Sequence, residues 1–392
     1  MRTLRAVSLL ALLLTTCWVD QANTIRWLAL RKASLQWNGT GAVATMCRKA
    51  RVHFGLVRRQ TKLCRTASQA MPHIARAAAQ TVATCQNVFA DRRWNCTSIE
   101  AAPNFTPDIT TGTREQAYVY ALSSAAVTYT IARACSSGAL FHCSCASPPR
   151  DPPNGNFKWG GCGDNVRWGS QFGKQFTDCA EKRGARTQPR RKARFVTATE
   201  PGRRRRGRRR RKGGEGREED DSKPAPPNFH NNRAGRRAVG SSLVTQCKCH
   251  GVSGSCNIKT CWRALPTLAE IGERLKRKFA VATEVISRRV GAGRKLLPAS
   301  SAMGLYNEDD LIYMTKSPDY CIRDARIGSL GTRGRLCNTT SQGYDSCEDM
   351  CCGRGYRTIR VEKVQRCKCK YHWCCYVQCE TCRAWVDTHE CN

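Results

Sequence analysis

"CKCHGVSGSC", Cys247 to Cys256, opens with two cysteines and closes with a third, and between them lie a histidine, two glycines and two serines. Three chemistries compete for such a string. A nucleophile elbow needs Gly-x-Ser-x-Gly on a strained turn after an apolar strand. Here Gly251-Val252-Ser253-Gly254-Ser255 lacks the last glycine, and no apolar strand precedes it. A zinc site would use Cys247, Cys249, His250 and Cys256, but Cys-x-Cys is tight for two ligands of one tetrahedron. The third reading is a stapled hairpin. Cys247 and Cys261 enclose Cys249 and Cys256, and pairing outer with outer and inner with inner makes a two-rung ladder. The offset is two residues on one strand and five on the other, so the second strand must carry a bulge or an extra turn. The inner pair closes the loop from His250 to Ser255. Gly251 and Gly254 permit positive φ there, and Ser253 is left at the tip, where a modifying enzyme can reach its hydroxyl.

A second nest lies near the C-terminus. Cys367 and Cys382 enclose Cys369 and Cys379, which enclose the adjacent Cys374-Cys375. Tyr371, His372, Trp373, Tyr376 and Val377 lie between the rungs. The expectation is a long, thin hairpin whose aromatic tip is a binding surface; the alternatives are a tip that folds back on its own domain and, less favoured, His372 as a metal ligand.

Compartment follows from both ends of the composition. The chain has 392 residues, 26 cysteines, 41% apolar residues and a net charge of +36. Met1-Arg2-Thr3-Leu4-Arg5 precedes the apolar run Val7 to Leu14, and small or polar residues follow, so residues 1–23 read as a signal peptide. A short membrane anchor is the competing reading, but the run is well below the roughly 20 residues needed to span a bilayer. Disulfides persist outside the reducing cytosol, so the mature chain is expected to be soluble and secreted, into the extracellular space and matrix. Loss of Cys17 with the signal peptide leaves an odd number, and one cysteine must stand alone or pair with another chain. Asn38, Asn95 and Asn338 head N-x-S/T sequons, and Asn104 heads a weaker one followed by Pro107.

Helical periodicity marks three segments. Ile74, Ala78, Val82, Cys85 and Phe89 share one face. A second helix starts at the capping box Thr113-Arg114-Glu115-Gln116, runs through Tyr118, Leu122, Ala126, Tyr129 and Ala132, and stops near Gly138. A third starts near Thr267 with Glu270 three residues on, and buries Leu268, Ile271, Leu275 and Phe279. From Cys321 the pattern changes. Twelve cysteines in 72 residues cannot accompany a large core, so short hairpins held by disulfides are expected. The fold class is therefore disulfide-rich α+β, divided into a helical domain over 24–290 with its hairpin at 247–261, a linker over 291–318, and a cysteine-rich domain over 319–392 with its hairpin at 367–382.

Residues 182–212 hold 16 Lys/Arg against one acidic residue, Glu200, and a proline-rich stretch follows. Such an insert, about 182–227, cannot offset its ordering entropy by apolar burial and reads as disordered. Arg203–Arg206 and Arg208–Arg211 fit a sulfated polyanion such as heparan sulfate, or a dibasic-specific processing protease; a translated intron is the third reading. A nucleic-acid partner is not expected for a secreted chain.

"CKCHGVSGSC", "RRWNC", "WGGCGDN", "CCGRGY" and "CKCKYHWCCYVQC" together, in this order, resemble the Wnt family of secreted, lipid-modified morphogens over nearly the whole mature chain outside the insert. "RWLALRK", "DRRWNCTSIEAAPN" and "TREQAYVYALSSAA" resemble its eleventh subfamily. The resemblance implies a "thumb" hairpin on the helical domain and an "index finger" hairpin on the cysteine-rich one, gripping the cysteine-rich domain of a Frizzled receptor, with a further Wnt co-receptor. It implies a palmitoleoyl ester on Ser253, attached by Porcupine, with Wntless as carrier. His250, Gly251, Val252 and Gly254 become thumb contacts; Tyr371, His372, Trp373, Cys374, Cys375 and Val377 become finger contacts. It further implies the pairs Cys85–Cys96, Cys135–Cys143, Cys145–Cys162, Cys321–Cys352, Cys337–Cys347, Cys351–Cys391 and the vicinal Cys374–Cys375. Cys47–Cys64 is then assigned as the remaining pair, and Cys179 is left over. No metal and no cofactor beyond the acyl ester is expected, and no catalysis. The rival functions are a secreted heparin-binding matrix protein, favoured by the charge, and a secreted hydrolase using Ser253.

Overall fold

The computed structural model describes residues 25–33, 43–150, 157–179, 227–290, 293–300, 304–374 and 376–392. The segment 1–23 read as a signal peptide, Asn38, almost the whole basic insert and Cys375 lie outside the described residues.

Eight α-helices are described: α1 Val43–Phe54, α2 Arg58–Thr66, α3 Met71–Val88, α4 Arg114–Ser136, α5 Val166–Thr177, α6 Pro227–Gly240, α7 Leu268–Ala280 and α8 Cys347–Met350. The strands are β1 Phe157–Trp159, β2 Val244–Cys249, β3 Lys259–Ala264, β4 Thr283–Val290, β5 Gly293–Pro298, β6 Ile312–Tyr313, β7 Arg323–Asp324, β8 Ser329–Leu330, β9 Leu336–Cys337, β10 Tyr356–His372 and β11 Tyr376–Cys391.

Helix α4 is the axis of the molecule. It is alanine-rich and buried on nearly every side, as a helix without a polar face must be. Helices α3, α5, α6 and α7 pack around it. At the crossing with α6, a Cβ on Gly235 would stand 1.9 Å from the Ala121 carbonyl oxygen, so only glycine allows that approach. Thr113 caps α4 by accepting from the Gln116 amide, whereas the Gln116 side chain reaches past it to the Gly112 amide. The full reciprocal capping box is at Thr267 and Glu270, at the start of α7. A short 3-10 segment, Arg26–Lys32, pushes Trp27, Leu28, Ala29 and Leu30 into this core, with Trp27 edge-on to Phe176 at 5.3 Å.

Helix α6 is held by polar groups. Arg236 donates to both oxygens of Asp178 at 2.9 and 2.8 Å, and to Ser124 and Thr177. Asn231 accepts from the Ile312 amide and donates to its carbonyl, both at 3.0 Å. The stretch 291–318 is therefore not a plain linker. Strand β5 pairs antiparallel with β4, β6 pairs parallel with it, and Leu311, Ile312 and Tyr313 are buried. That apolar triplet has a core to join, so the chain folds onto the helices before it leaves them.

The cysteine-rich region has little apolar interior, a cluster around Cys347, Met350, Cys351 and Cys391. It docks on the helices through Arg335, which donates to the carbonyls of Ala90, Arg92 and Arg93 just beyond α3, and through Arg93 to the Asp349 carbonyl. Disulfides Cys321–Cys352, Cys337–Cys347 and Cys351–Cys391 close it. In the helical part Cys47–Cys64, Cys85–Cys96, Cys135–Cys143 and Cys145–Cys162 are joined. Cys179 is buried and unpaired. Among the described residues no helix is long and apolar enough to cross a membrane.

Candidate functional site: two stapled hairpins

Strands β2 and β3 pair antiparallel with Cys247 opposite Cys261, and β1 runs parallel along the far side of β3. The outer disulfide Cys247–Cys261 joins Cα atoms 4.0 Å apart; the inner one, Cys249–Cys256, joins Cα atoms 4.6 Å apart. Cys256 lies before β3 begins, so the surplus residues form a turn ahead of the strand rather than a bulge within it.

The loop is closed by its own backbone. His250 donates its amide to Ile258 O at 2.7 Å, and Gly251 to Ser255 O at 2.8 Å. Gly254 donates back to Gly251 O and Ser255 to Val252 O, which makes one 3-10 turn over Val252–Gly254. Ser253 is at φ 55° and Gly254 at φ 80°. Left-handed backbone on a residue with a Cβ costs about 1–2 kcal/mol, and here the short closed loop imposes it. Gly251 differs from expectation. Its φ is an ordinary −71°, and it is needed for space, because a Cβ would fall 1.9 Å from Ser255 Oγ and 2.5 Å from Ser255 O. Ser253 is exposed, and its hydroxyl has no hydrogen-bond partner among the described residues. His250 turns its Nε2 to Thr260 Oγ1 at 3.0 Å and so is not engaged as a base for Ser253. All four cysteines are disulfide-bonded, which removes the thiolates a zinc ion would need.

The second hairpin, β10–β11, runs from Tyr356 to Cys391, well beyond the expected 367–382. Both of its faces are largely exposed. Its rungs are Cys367–Cys382 and Cys369–Cys379, and the register shifts between Cys367 and Lys370, where Lys368 takes φ 46°. At the tip Tyr371 faces Val377, and His372 stacks on Tyr376 at 4.9 Å. Trp373 is 89% exposed and rests on no core, and Tyr371, Tyr376 and Val377 are also open to solvent. Cys374 takes φ 62° in the turn; the vicinal pair with Cys375 falls on a residue outside those described. Tyr376 belongs to this tip, and Ile258 to the thumb, where it is 66% exposed and Val252 90%. An apolar residue between the turn and basic Lys259 was the available sign of the latter.

Elsewhere, the sulfurs of Cys337, Cys351 and Cys391 lie within 4.8 Å of one another, but each is in a disulfide and none can ligate a metal as thiolate. Cys179 Sγ donates to Gln175 O, and burial pushes its thiol up to about 11. Asn338 and Asn104 are exposed and Asn95 half-buried; Asn104 accepts from Arg26 at 3.3 Å.

The model of the wnt family matches residues 52–392. Protein Wnt-11b-2 of Xenopus tropicalis is 42% identical over 381 residues, 97% of this chain and 98% of that protein. Protein Wnt-11 of Gallus gallus is 41% identical over 370 residues, 94% and 93% of the two chains. A chain in the structure of human WLS in complex with WNT8A superposes with a TM-score of 0.51 at 30% identity, covering 82% of this chain and 94% of that one. The disulfide-rich α+β fold with its two stapled hairpins, and sequence identity along almost all its length, make this chain a member of the Wnt family of signalling ligands.

Proposed function

We propose that the protein is secreted as a palmitoleoylated ligand whose Ser253 acyl chain and Trp373 tip grip the cysteine-rich domain of a Frizzled receptor from two sides. The observation that carries this reading is the Ser253 hydroxyl, exposed and unengaged at the apex of a doubly stapled loop. Porcupine attaches the ester and Wntless, as in the human WLS–WNT8A complex, carries the product. A Wnt co-receptor joins at the cell surface, heparan sulfate retains the ligand in the matrix, and the output includes β-catenin-independent control of planar polarity and cell movement.

The energetics suit a transferable lipid. Roughly 14 methylenes at about 0.8 kcal/mol each amount to on the order of 11 kcal/mol of gross transfer energy. One acyl chain anchors only reversibly to a membrane, so apolar grooves on carrier and receptor can pass it on. The protein acts as a ligand rather than a catalyst, a reading supported by its similarity to Wnt proteins along almost the whole chain. Ser253→Ala tests the reading: it should abolish acylation and receptor activation, with Ser255 unable to substitute because it abuts the inner staple. Full signalling by that variant at normal secretion would refute it.

A further inference from the structure

Helices α1 and α2 form a strongly basic pair. Between them, residues 43–66 contain Arg48, Lys49, Arg51, Arg58, Arg59, Lys62 and Arg65 and no Asp or Glu. All seven side chains are exposed. The Cys47–Cys64 disulfide fixes the two helices against each other, and Gln60 ties α2 to α5 by donating to Phe176 O at 3.1 Å.

Between α2 and α5 lies a cleft of about 500 Å³, walled by Arg59, Lys62, Leu63, Thr66, Lys174 and Gln175. That volume is within the roughly 300–1,000 Å³ of small-ligand sites. Asp178 also borders it, but both its oxygens are taken by Arg236, so it offsets little of the positive charge. Ion pairs occupy many cations elsewhere: Arg93, Arg233, Arg236, Arg237, Lys276 and Lys278 each have a carboxylate. Among the described residues, Arg59, Lys62 and Lys174 have none. Three uncompensated cations from two rigid helices, continued by five more along α1 and α2, are suited to an extended polyanion. A single small anion would leave the outer charges unmet.

We infer that the α2–α5 cleft with the adjoining face of α1 and α2 is a binding site for a sulfated glycosaminoglycan, built into the folded domain and independent of the basic insert. The inference rests on the reading above that heparan sulfate is a partner, and gives it a location. Planar guanidinium and ammonium groups bind sulfate by charge-assisted hydrogen bonds, with release of counterions. Each contact contributes about 0.7–0.9 to the slope of log affinity against log salt for a polyanion.

The test uses heparin octasaccharide binding and heparin-column elution as a function of salt. The full chain is compared with Arg59→Glu, Lys62→Glu and Lys174→Glu combined, and with a control of the same change in net charge at exposed remote cations, Lys316→Glu, Arg333→Glu and Arg360→Glu combined. All three proteins are also made with residues 186–224 deleted. Thermal melting establishes that each is folded. The cleft variant is expected to elute at lower salt than the control in both backgrounds, with its salt slope reduced by about 2. Co-elution of cleft and control variants overturns the site while the heparan sulfate reading stands. Loss of all heparin binding on deletion of 186–224 alone does the same. A full chain that does not bind heparin overturns both.

Discussion

Gly251→Ala should separate the geometry of the thumb loop from the mere presence of its serine. A Cβ at that position meets Ser255 Oγ at 1.9 Å and Ser255 O at 2.5 Å. The hydroxyl can rotate away. The carbonyl cannot, because it accepts the Gly251 amide at 2.8 Å and is followed at once by the Cys249–Cys256 staple. Even a retreat of about 0.5 Å, from 2.5 to 3.0 Å, strains that hydrogen bond. Overpacking of this kind costs about 1–3 kcal/mol, and the lost hydrogen bond adds about 1 kcal/mol. At about 1.4 kcal/mol per factor of ten, the native loop becomes roughly 30-fold or more less populated. Gly254 is the internal control. It has φ 80° and nothing within 4 Å of where a methyl group would sit, so Gly254→Ala costs only about 1 kcal/mol of left-handed strain. The assay is metabolic labelling with an alkynyl sixteen-carbon fatty acid, read as label per secreted protein. Gly251→Ala should lose most of its label and Gly254→Ala only part. Wild-type labelling of Gly251→Ala, or the reverse order of the two, would refute the argument that the loop's shape presents Ser253.

Three further outcomes are expected. Trp373→Ala should weaken binding to the receptor cysteine-rich domain by about 2 kcal/mol or more, with secretion and melting unchanged because the ring is 89% exposed; unchanged affinity would remove it from the interface. Glu115, buried at the start of α4 and accepting from Ser317 at 2.9 Å, is raised by burial to about 7 against an ordinary 4.5. The folded state therefore holds a proton that the unfolded chain has released, and this group's contribution to stability is full below about 4.5 and is lost as pH rises to about 7, on the order of 3 kcal/mol. Urea unfolding between those pH values should show a smaller decline for Glu115→Gln than for the wild type, and equal declines would contradict the assignment. Cys179, 3% exposed and with its thiol pushed up to about 11, should resist iodoacetamide at neutral pH until the protein unfolds; rapid native labelling would show the site to be open.

Segments whose burial is apolar and periodic were legible in the sequence: α3, α4 and α7 follow from their stripes, and α7 from its capping box. The thumb ladder follows from nesting alone. Helices α1 and α2 were not legible, because α1 fully buries only Cys47 and Ala50 and α2 only Gln60, Thr61 and Cys64, too few apolar positions for a stripe, and basic residues recur between them. Helix α6 was hidden for a different reason. Asn228, Asn231, Asn232 and Arg236 are among its buried residues, and polar side chains buried against Asp178, Thr177 and Ile312 look like loop until their partners are known. The β4–β5 hairpin was missed because Arg288, Arg289 and Lys295 on its strands are basic and exposed, whereas the buried residues Thr283 and Val285 lie at its base. At the candidate site, the exposed position of Ser253 at a loop tip and of the aromatics at the second hairpin's tip was readable from cysteine spacing. Two features were not: the steric role of Gly251 and the full length of the second hairpin, both of which depend on contacts across the chain.

The most direct test of the account is the mass of the Ser253 peptide. The protein is collected from a producing cell line, digested without ester-cleaving base, and the fragment spanning Cys247 to Cys261 is measured intact. The account predicts that Ser253 carries a monounsaturated sixteen-carbon acyl ester, absent when Porcupine is inhibited. A bare Ser253 on protein that activates its receptor would contradict it.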